Sequence, residues 1–312
     1  MKKIFIGILS LLFFFAVVGA NAEDTEEADN NTIRFFGSLG TKGVYSSGVS
    51  DSYTYNRTDA KAGFKSEYVD LSAYIRRYFN YQIADGNGFF EYRAFNEAGL
   101  SLTAHMFGFI DLSGEYSHAD NFDDLSRNTY YGNIELEFTH VILSGDYTRE
   151  DFGYTIDSNT INTEKRNYSF TIELKFTESF SMDASYKHDN IYFNSLGYDY
   201  YKNIFRGGIS IMPADYFFLI AGAGGGKDSE DYNIYSADCG VTFVIYSRFK
   251  LYCLYSYSYY DPAGTYTTSS SGGGGGSGHG HGSGGSNPYL SSDKIGESYS
   301  SHVLSFGMSV SF

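Results

Sequence analysis

The feature that most constrains this chain is a two-residue period in side-chain polarity that recurs from end to end. The last stretch is the cleanest case. Leu304, Phe306, Met308, Val310 and Phe312 are apolar, and Ser305, Gly307, Ser309 and Ser311 between them are small or polar. A period of two puts the two sets on opposite faces of one strand. The same alternation runs through Tyr168, Phe170, Ile172, Leu174 and Phe176, through Ile134, Leu136 and Phe138, and through Tyr235, Ala237, Cys239, Val241 and Phe243. It recurs in Val69, Leu71, Ala73 and Ile75, and again in Leu251, Cys253, Tyr255 and Tyr257. About ten residues of this pattern cross a bilayer at the tilt of a barrel strand.

Composition narrows the classes further. The 312 residues carry 37 acidic and 22 basic side chains, a net charge of −15, with 31 Tyr, 27 Phe and no Trp. An acidic balance argues against a nucleic-acid partner, which needs a basic footprint. Two cysteines cannot build a disulfide scaffold or a four-cysteine zinc site. Residues 1–22 read as a cleavable secretory signal peptide. Lys2 and Lys3 precede an apolar run from Ile4 to Val18, and Ala20-Asn21-Ala22 supplies a small-x-small cleavage site. Losing the two lysines takes the net charge from −15 to −17. Residues 23–32 are then a short acidic N-terminal segment, and 33–312 the folded body. Beyond the signal peptide no run of 18 apolar residues remains, which excludes a helical membrane protein.

A soluble sandwich also alternates, so the connections decide. Strands are expected near 33–47, 54–66, 69–79, 91–105, 108–118, 131–138, 141–149, 167–176, 180–189, 202–212, 216–225, 233–244, 249–260 and 299–312. That makes fourteen, or twelve if the breaks near 48–53 or 106–107 are not turns. Connections of two to four residues, such as Glu67-Tyr68, Thr139-His140 and Pro213-Ala214-Asp215, alternate with long polar ones at 48–53, 80–90, 119–130, 150–166, 190–201, 226–232 and 261–298. Tight turns at one end and long loops at the other are the pattern of an outer-membrane barrel. Phe138, Phe176, Phe180, Tyr216, Phe249 and Phe312 flank the short turns. Tyr116, Tyr130, Tyr131, Tyr147, Tyr200, Tyr201, Tyr232, Tyr259 and Tyr260 flank the long loops. Two aromatic rings at opposite strand ends fit two membrane interfaces. The expected fold is an all-β, antiparallel, up-and-down transmembrane β-barrel.

On these residues the chain resembles Gram-negative outer-membrane β-barrels, and in architecture it is most similar to monomeric general porins of the OmpG kind. The resemblance covers residues 33–312. It implies that the last strand, with Leu304, Phe306, Met308, Val310 and the terminal aromatic Phe312, is the signal read by the barrel-assembly machinery. It also implies transit with periplasmic chaperones, a place in the bacterial outer membrane, and contact with outer-membrane lipid and lipopolysaccharide. Only Glu23 to Thr32 precede the first strand, too short a segment to plug a barrel.

Fourteen strands without a plug should leave a water-filled lumen. By parity the inward residues include basic Arg34, Lys61, Lys65, Arg76 and Arg93 from the first four strands, and acidic Asp111, Glu115, Glu135, Glu137 and Asp146 from the next three. Later strands mix Glu173, Lys175, Asp183, Lys187, Arg206, Asp238 and Lys250. Either a basic wall faces an acidic wall and orients solutes, or the charges neutralise one another. The function expected is a channel for passive diffusion of small polar solutes or ions. The alternative is a surface-interaction barrel, an adhesin or structural anchor with a closed lumen.

No enzyme activity and no cofactor are expected. His118 with Asp120, and His188 with Asp189, could serve base chemistry, but no nucleophile motif accompanies them. The Gly/Ser stretch 269–286 reads as a flexible external loop, and its His279 and His281 lack a third ligand for a metal ion. Asp228, Glu230 and Asp231, like Asp120, Asp123 and Asp124, lack the spacing of a calcium loop and read as solvated. Cys239 and Cys253 both point outward on adjacent strands. Two lipid-facing thiols are favoured there over a cross-strand disulfide.

Overall fold

Alternating side chains leave each strand with one apolar and one polar face, and the sheet hides the difference by closing on itself. The structure, a computed structural model, describes residues 33–48, 54–85, 88–120, 125–156, 159–193, 198–245, 248–262 and 298–312. The signal peptide, the acidic segment 23–32, and His279 and His281 lie outside them. Fourteen strands run in order: β1 (Arg34–Gly48), β2 (Thr54–Lys65), β3 (Val69–Asp85), β4 (Gly88–Met106), β5 (Ile110–Asp120), β6 (Leu125–Glu137), β7 (Val141–Ile156), β8 (Asn159–Thr177), β9 (Phe180–Phe193), β10 (Tyr198–Ala214), β11 (Phe217–Asp228), β12 (Tyr232–Ile245), β13 (Phe249–Pro262) and β14 (Tyr299–Ser311). Each pairs antiparallel with its sequence neighbours, and β1 pairs with β14 to close the barrel. Both breaks that could have reduced the count to twelve fall between strands.

The alternation sorts as expected. On β8, Tyr168, Phe170, Ile172, Leu174 and Phe176 are exposed on the outer wall, and Ser169, Thr171, Glu173 and Lys175 turn inward. Leu304, Phe306, Met308, Val310 and Phe312 are likewise exposed outside. One bulge changes the phase. Asn80 has a φ of 49°, and against β2 the register shifts by one residue between the pairs Asn56–Phe79 and Thr54–Gln82. An Asn tolerates that left-handed backbone, and the extra residue sends both Tyr78 and Tyr81 to the inside.

The long connections are a correction to the sequence reading. Strand pairing continues through most of 80–90, 119–130, 150–166 and 190–201, so that β3 meets β4 up to the pair Asp85–Gly88, and β7 meets β8 up to Ile156–Asn159. The barrel wall extends past the membrane band at this end, and loop length alone no longer separates the two ends. Of the seven connections expected to be long, 261–298 remains so, and its residues 263–297 lie outside the described ones.

Two belts mark the membrane edges. At the short-turn end phenylalanines stack: Phe109 on Phe138 (5.9 Å), Phe176 on Phe180 (5.5 Å) and Phe217 on Phe243 (4.8 Å). At the other end the belt is tyrosine, histidine and asparagine. Tyr147, Tyr168, His188 and Tyr201 stack in a row at 5.7, 5.2 and 6.0 Å. Tyr116 Oη and His118 Nδ1 both donate to Asn128 Oδ1, at 3.2 and 2.8 Å. Tyr186 and His188 repeat the arrangement on Asn203, at 2.7 and 2.8 Å. Such hydrogen-bonded amphipathic rings suit a boundary that is apolar on one side and wet on the other. From Tyr168 to Phe176 is eight residue steps, about 27 Å of strand at ~3.4 Å each, or about 20 Å of height at barrel tilt. Beyond the belt the outer face turns charged, with Arg149 beside Asp151 (2.9 Å) and Arg166 bonded to Glu164.

Four tyrosines expected in this belt are not in it. Tyr131 faces inward and donates to Asp146 at 2.6 Å, and Tyr200, Tyr232 and Tyr260 face inward and are buried. They follow the parity of the lumen, not that of the wall.

Candidate functional site: the lumen

Strand parity sends Arg34, Lys61, Lys65, Arg76, Asp111, Glu115, Glu135, Glu137 and Asp146 to the inner face, as expected. Their cross-strand registers agree: Arg34 pairs with Lys65, Asp111 with Glu135, and Asn133 with Asp146. Arg93 lies on β4, but its side chain is outside the described residues. The structure separates this set into three groups.

The first group is a packed network on β2–β7. Arg76 reaches Glu97 Oε1 at 2.7 Å, Glu115 Oε1 at 3.5 Å and Asp59 Oδ1 at 3.4 Å. Arg57 joins Asp59 at 2.8 Å. Glu97, 2% exposed, also bonds Arg127, which is 7% exposed. Arg127 donates further to Tyr78 Oη (3.1 Å) and Tyr81 Oη (3.4 Å), and its guanidinium lies 5.5 Å from the Phe95 ring. Tyr78, Tyr81, Phe95, Ala119, Leu125 and Phe152 close over it as one apolar cluster. A buried ion pair is costly unless its remaining hydrogen bonds are met; the tyrosine hydroxyls accept from both terminal nitrogens of Arg127, and its Nε has no partner among the described residues. Tyr74 lies across Gly99, where any side chain would overlap its ring, to hydrogen-bond Glu115 on β5. Glycine is required there for close approach.

The second group lines the mouth at the short-turn end. Arg34, Lys61 and Lys65 sit on β1 and β2, and Lys65 is 3.7 Å from Asp70. Asp111, Glu135, Glu137 and Glu173 sit on β5 to β8. His105 Nδ1 is 2.7 Å from Asp111 Oδ1, and Lys175 Nζ is 2.7 Å from Glu137 Oε1. The expected segregation of sign survives at this mouth. At mid-height it does not, because Arg76 is neutralised by Asp59, Glu97 and Glu115.

The third group is on β9–β12. Arg206 donates Nε and Nη2 to Asp238 (2.7 and 2.8 Å) and Nη1 to Asp183 (2.6 Å). Its guanidinium lies flat against Gly222 and Gly208, where a Cβ would collide with it. Most inward neighbours on this wall are small, Ser181, Ser185, Ser210, Gly224 and Ser236, with Ile220 on the short-turn side and Ile204 on the other.

The two His–acid pairs do not form. His118 and His188 face outward on asparagines, and Asp189 faces inward between Lys187 (2.9 Å) and Lys202 (3.7 Å). Among the described residues no group of three metal-ligating side chains occurs. Cys239 and Cys253 are free thiols on the outer wall. Asp228 is not a solvated loop residue. It ends β11 inside the barrel and accepts from Tyr232 N (2.9 Å), Glu230 N (3.0 Å) and Tyr200 Oη (3.1 Å), and burial pushes its carboxyl above the usual range.

Arg57, Asp59, Glu97 and Arg127 were missing from the sequence-derived set. Residues 57 and 59 share the parity of Lys61 and Lys65, a signal that was available. Arg127 shares the parity of Glu135 but lies in a segment read as loop.

No family model and no curated protein matches the chain. Solved structures do match in shape. A bacterial polysaccharide outer membrane secretin is 10% identical, with a TM-score of 0.53, over 91% of this chain and 100% of that one. The CymD monoaromatic hydrocarbon channel is 10% identical over 96% and 92%, with a TM-score of 0.49. OmpT, an outer membrane protein of Vibrio cholerae, is 10% identical over 93% and 100%, with a TM-score of 0.46. At such identities the likeness is one of fold, and no particular nearness to the OmpG kind emerges from it. The fold of this chain is that of an outer-membrane β-barrel.

Proposed function

We propose that the protein is an outer-membrane channel for passive diffusion of small polar solutes or ions. One observation carries the reading: wet charge in the middle of a wall that is apolar outside. The side chains of Arg76 and Arg206 are 25% and 27% exposed, while Leu71, Ala73 and Ile75 lead up to Arg76 on the outer face of β3, and Phe205 and Ile209 flank Arg206 on that of β10. Ionised groups at membrane depth need water or a partner, and these have both. Export through residues 1–22, assembly through the last strand with periplasmic chaperones and the barrel-assembly machinery, and contact with lipopolysaccharide complete the proposal. No covalent chemistry is assigned to any residue.

Single-channel recording of the refolded protein in a planar bilayer tests it. Stable conductance steps are expected, with Glu135→Gln and Glu137→Gln moving the selectivity toward anions. Protein shown to be folded that gives no steps would sink the channel reading.

A second reading is a surface-interaction barrel with a closed lumen. The buried clusters at the long-loop end favour it: Tyr78, Tyr81, Phe95 and Phe152 on one side, and Tyr232, Ile234 and Tyr260 on the other. The same recording separates the two, since only the closed barrel is silent.

A further inference from the structure

Arg76 and Arg206 each sit near the middle of a seventeen-residue strand, β3 and β10. Six strands lie between them on either side of the ring of fourteen, so they stand on opposite walls. Each is held by a carboxylate one strand before it and another two strands after it. For Arg76 these are Asp59 and Glu115, and for Arg206 they are Asp183 and Asp238. Each set also crosses a glycine on the intervening strand: Tyr74 covers Gly99, and Arg206 covers Gly222.

The two brackets differ in what surrounds them. The Arg76 bracket backs onto the buried pair Glu97–Arg127 and the aromatic cluster above it. Bulky side chains fill that half of the cross-section. The Arg206 bracket lies on a floor of Gly208, Gly222 and Gly224, with Ser181, Ser185, Ser210 and Ser236 beside it. Its three side chains keep roughly a fifth to a quarter of their surface open to water. At the height of Arg206 the free cross-section therefore lies along β9–β12, below the Tyr232–Ile234–Tyr260 cluster that closes the same wall nearer the long-loop end.

We infer that the Asp183–Arg206–Asp238 bracket is a second selectivity element of the lumen, beyond the carboxylates at the mouth, and that it favours cations and small cationic solutes. This rests on the channel reading above. Two carboxylates stand against one guanidinium, which leaves the bracket with a net single negative charge. The guanidinium gives Nε and Nη2 to Asp238 and Nη1 to Asp183, so its donors are turned to the wall and not to a passing anion. Glu173, the cross-strand neighbour of Asp183 on β8, forms no ion pair among the described residues and extends the carboxylate surface toward the mouth. Fixed charges beside a narrow aqueous path set which ion enters it. Arg206 is then a positioning residue. It pins both carboxylates flat against glycine, so that they face the path without narrowing it.

Reversal potentials under a potassium chloride gradient test this in planar bilayers. Wild-type protein is expected to prefer potassium. Asp183→Asn with Asp238→Asn should lower the potassium-to-chloride permeability ratio severalfold, and Arg206→Gln should raise it. Asp151→Asn, on the outer wall above the belt, should leave it unchanged. A purely structural salt bridge would lower the yield of folded channels without moving the ratio in opposite directions for opposite charges. Either single carboxylate variant serves if the double variant does not fold. Conducting channels whose ratio is the same in wild type, carboxylate variant and Arg206→Gln overturn this inference and leave the channel reading standing. Silence from folded wild-type protein overturns both.

Discussion

Phe312 and Gly37 close the barrel. Gly37 N donates to Phe312 O at 2.8 Å, and Phe312 N donates to Gly37 O at 2.9 Å. The terminal ring then lies over the glycine on the outer wall, in the space a Cβ at position 37 would fill. A side chain there must displace the ring, an overpacking cost of about 1–3 kcal/mol. Gly37→Val is therefore expected to lower the folded fraction, read by the heat-dependent mobility of folded barrels on gels. Adding Phe312→Ala to it should restore part of the loss. Wild-type folding of Gly37→Val alone would show that the contact is incidental.

Arg127, like Lys202, is only 7% exposed, and Glu97 is its partner. Removing one member of a buried pair strands the other, typically at about 3–5 kcal/mol. Arg76 still holds Glu97, so Arg127→Met should fall near the lower end of that range. Arg127→Met with Glu97→Gln should be less destabilised than the single variant, because the buried carboxylate loses its charge together with its closest partner while Arg76 keeps Asp59 and Glu115. Urea titrations in lipid vesicles give both values. Equal or greater destabilisation in the double variant would mean that shape, not charge, fixes the cluster.

Asp228 gives the outer end of the barrel a pH dependence of definite sign. Burial raises its folded pKa above the unfolded value of about 3.9. The folded state thus binds the proton more tightly. Its contribution is fully present below the unfolded pKa and is lost as pH rises through the folded one. Asp228→Asn keeps an acceptor for Glu230 N and Tyr232 N but carries no charge. Relative to wild type it should gain stability as pH rises from about 4 to neutrality. A difference between the two that is flat across that interval, in vesicle unfolding, would contradict the assignment.

Strand number, handedness of the faces and closure were legible because the membrane imposes them. Between the belts each strand has lipid on one side and water on the other, and period two is the direct result. Above the belts both sides are wet, and the signal vanishes while the strand continues. Glu150-Asp151 and Asn162-Thr163-Glu164-Lys165-Arg166 therefore read as loop, and Arg127 was lost with its segment. Parity also told which charges face inward, but not which meet. That depends on register, and Arg76 finds Asp59 and Glu97 only because they are its direct cross-strand partners. The Arg206 bracket needs a glycine on the next strand and a carboxylate two strands away, a relation no single strand displays.

Cys239 and Cys253 offer a direct check on which face meets lipid. Cys239 is opposite Tyr255 and Cys253 is opposite Val241, so the two thiols are diagonal neighbours. Diagonal positions lie about 7–8 Å apart, whereas a disulfide needs Cβ atoms within about 4.5 Å. Mild oxidant should therefore leave the folded barrel's thiol count unchanged. Each cysteine can be labelled in the unfolded chain with a small environment-sensitive fluorophore, the other being replaced by alanine, and the barrel refolded into vesicles. At both positions the emission should be blue-shifted, quenched by brominated lipid chains and untouched by aqueous iodide. Iodide quenching at either site would place that face of β12 or β13 in water. The assignment of inner and outer walls, and with it the lumen described above, would then have to be reversed for those strands.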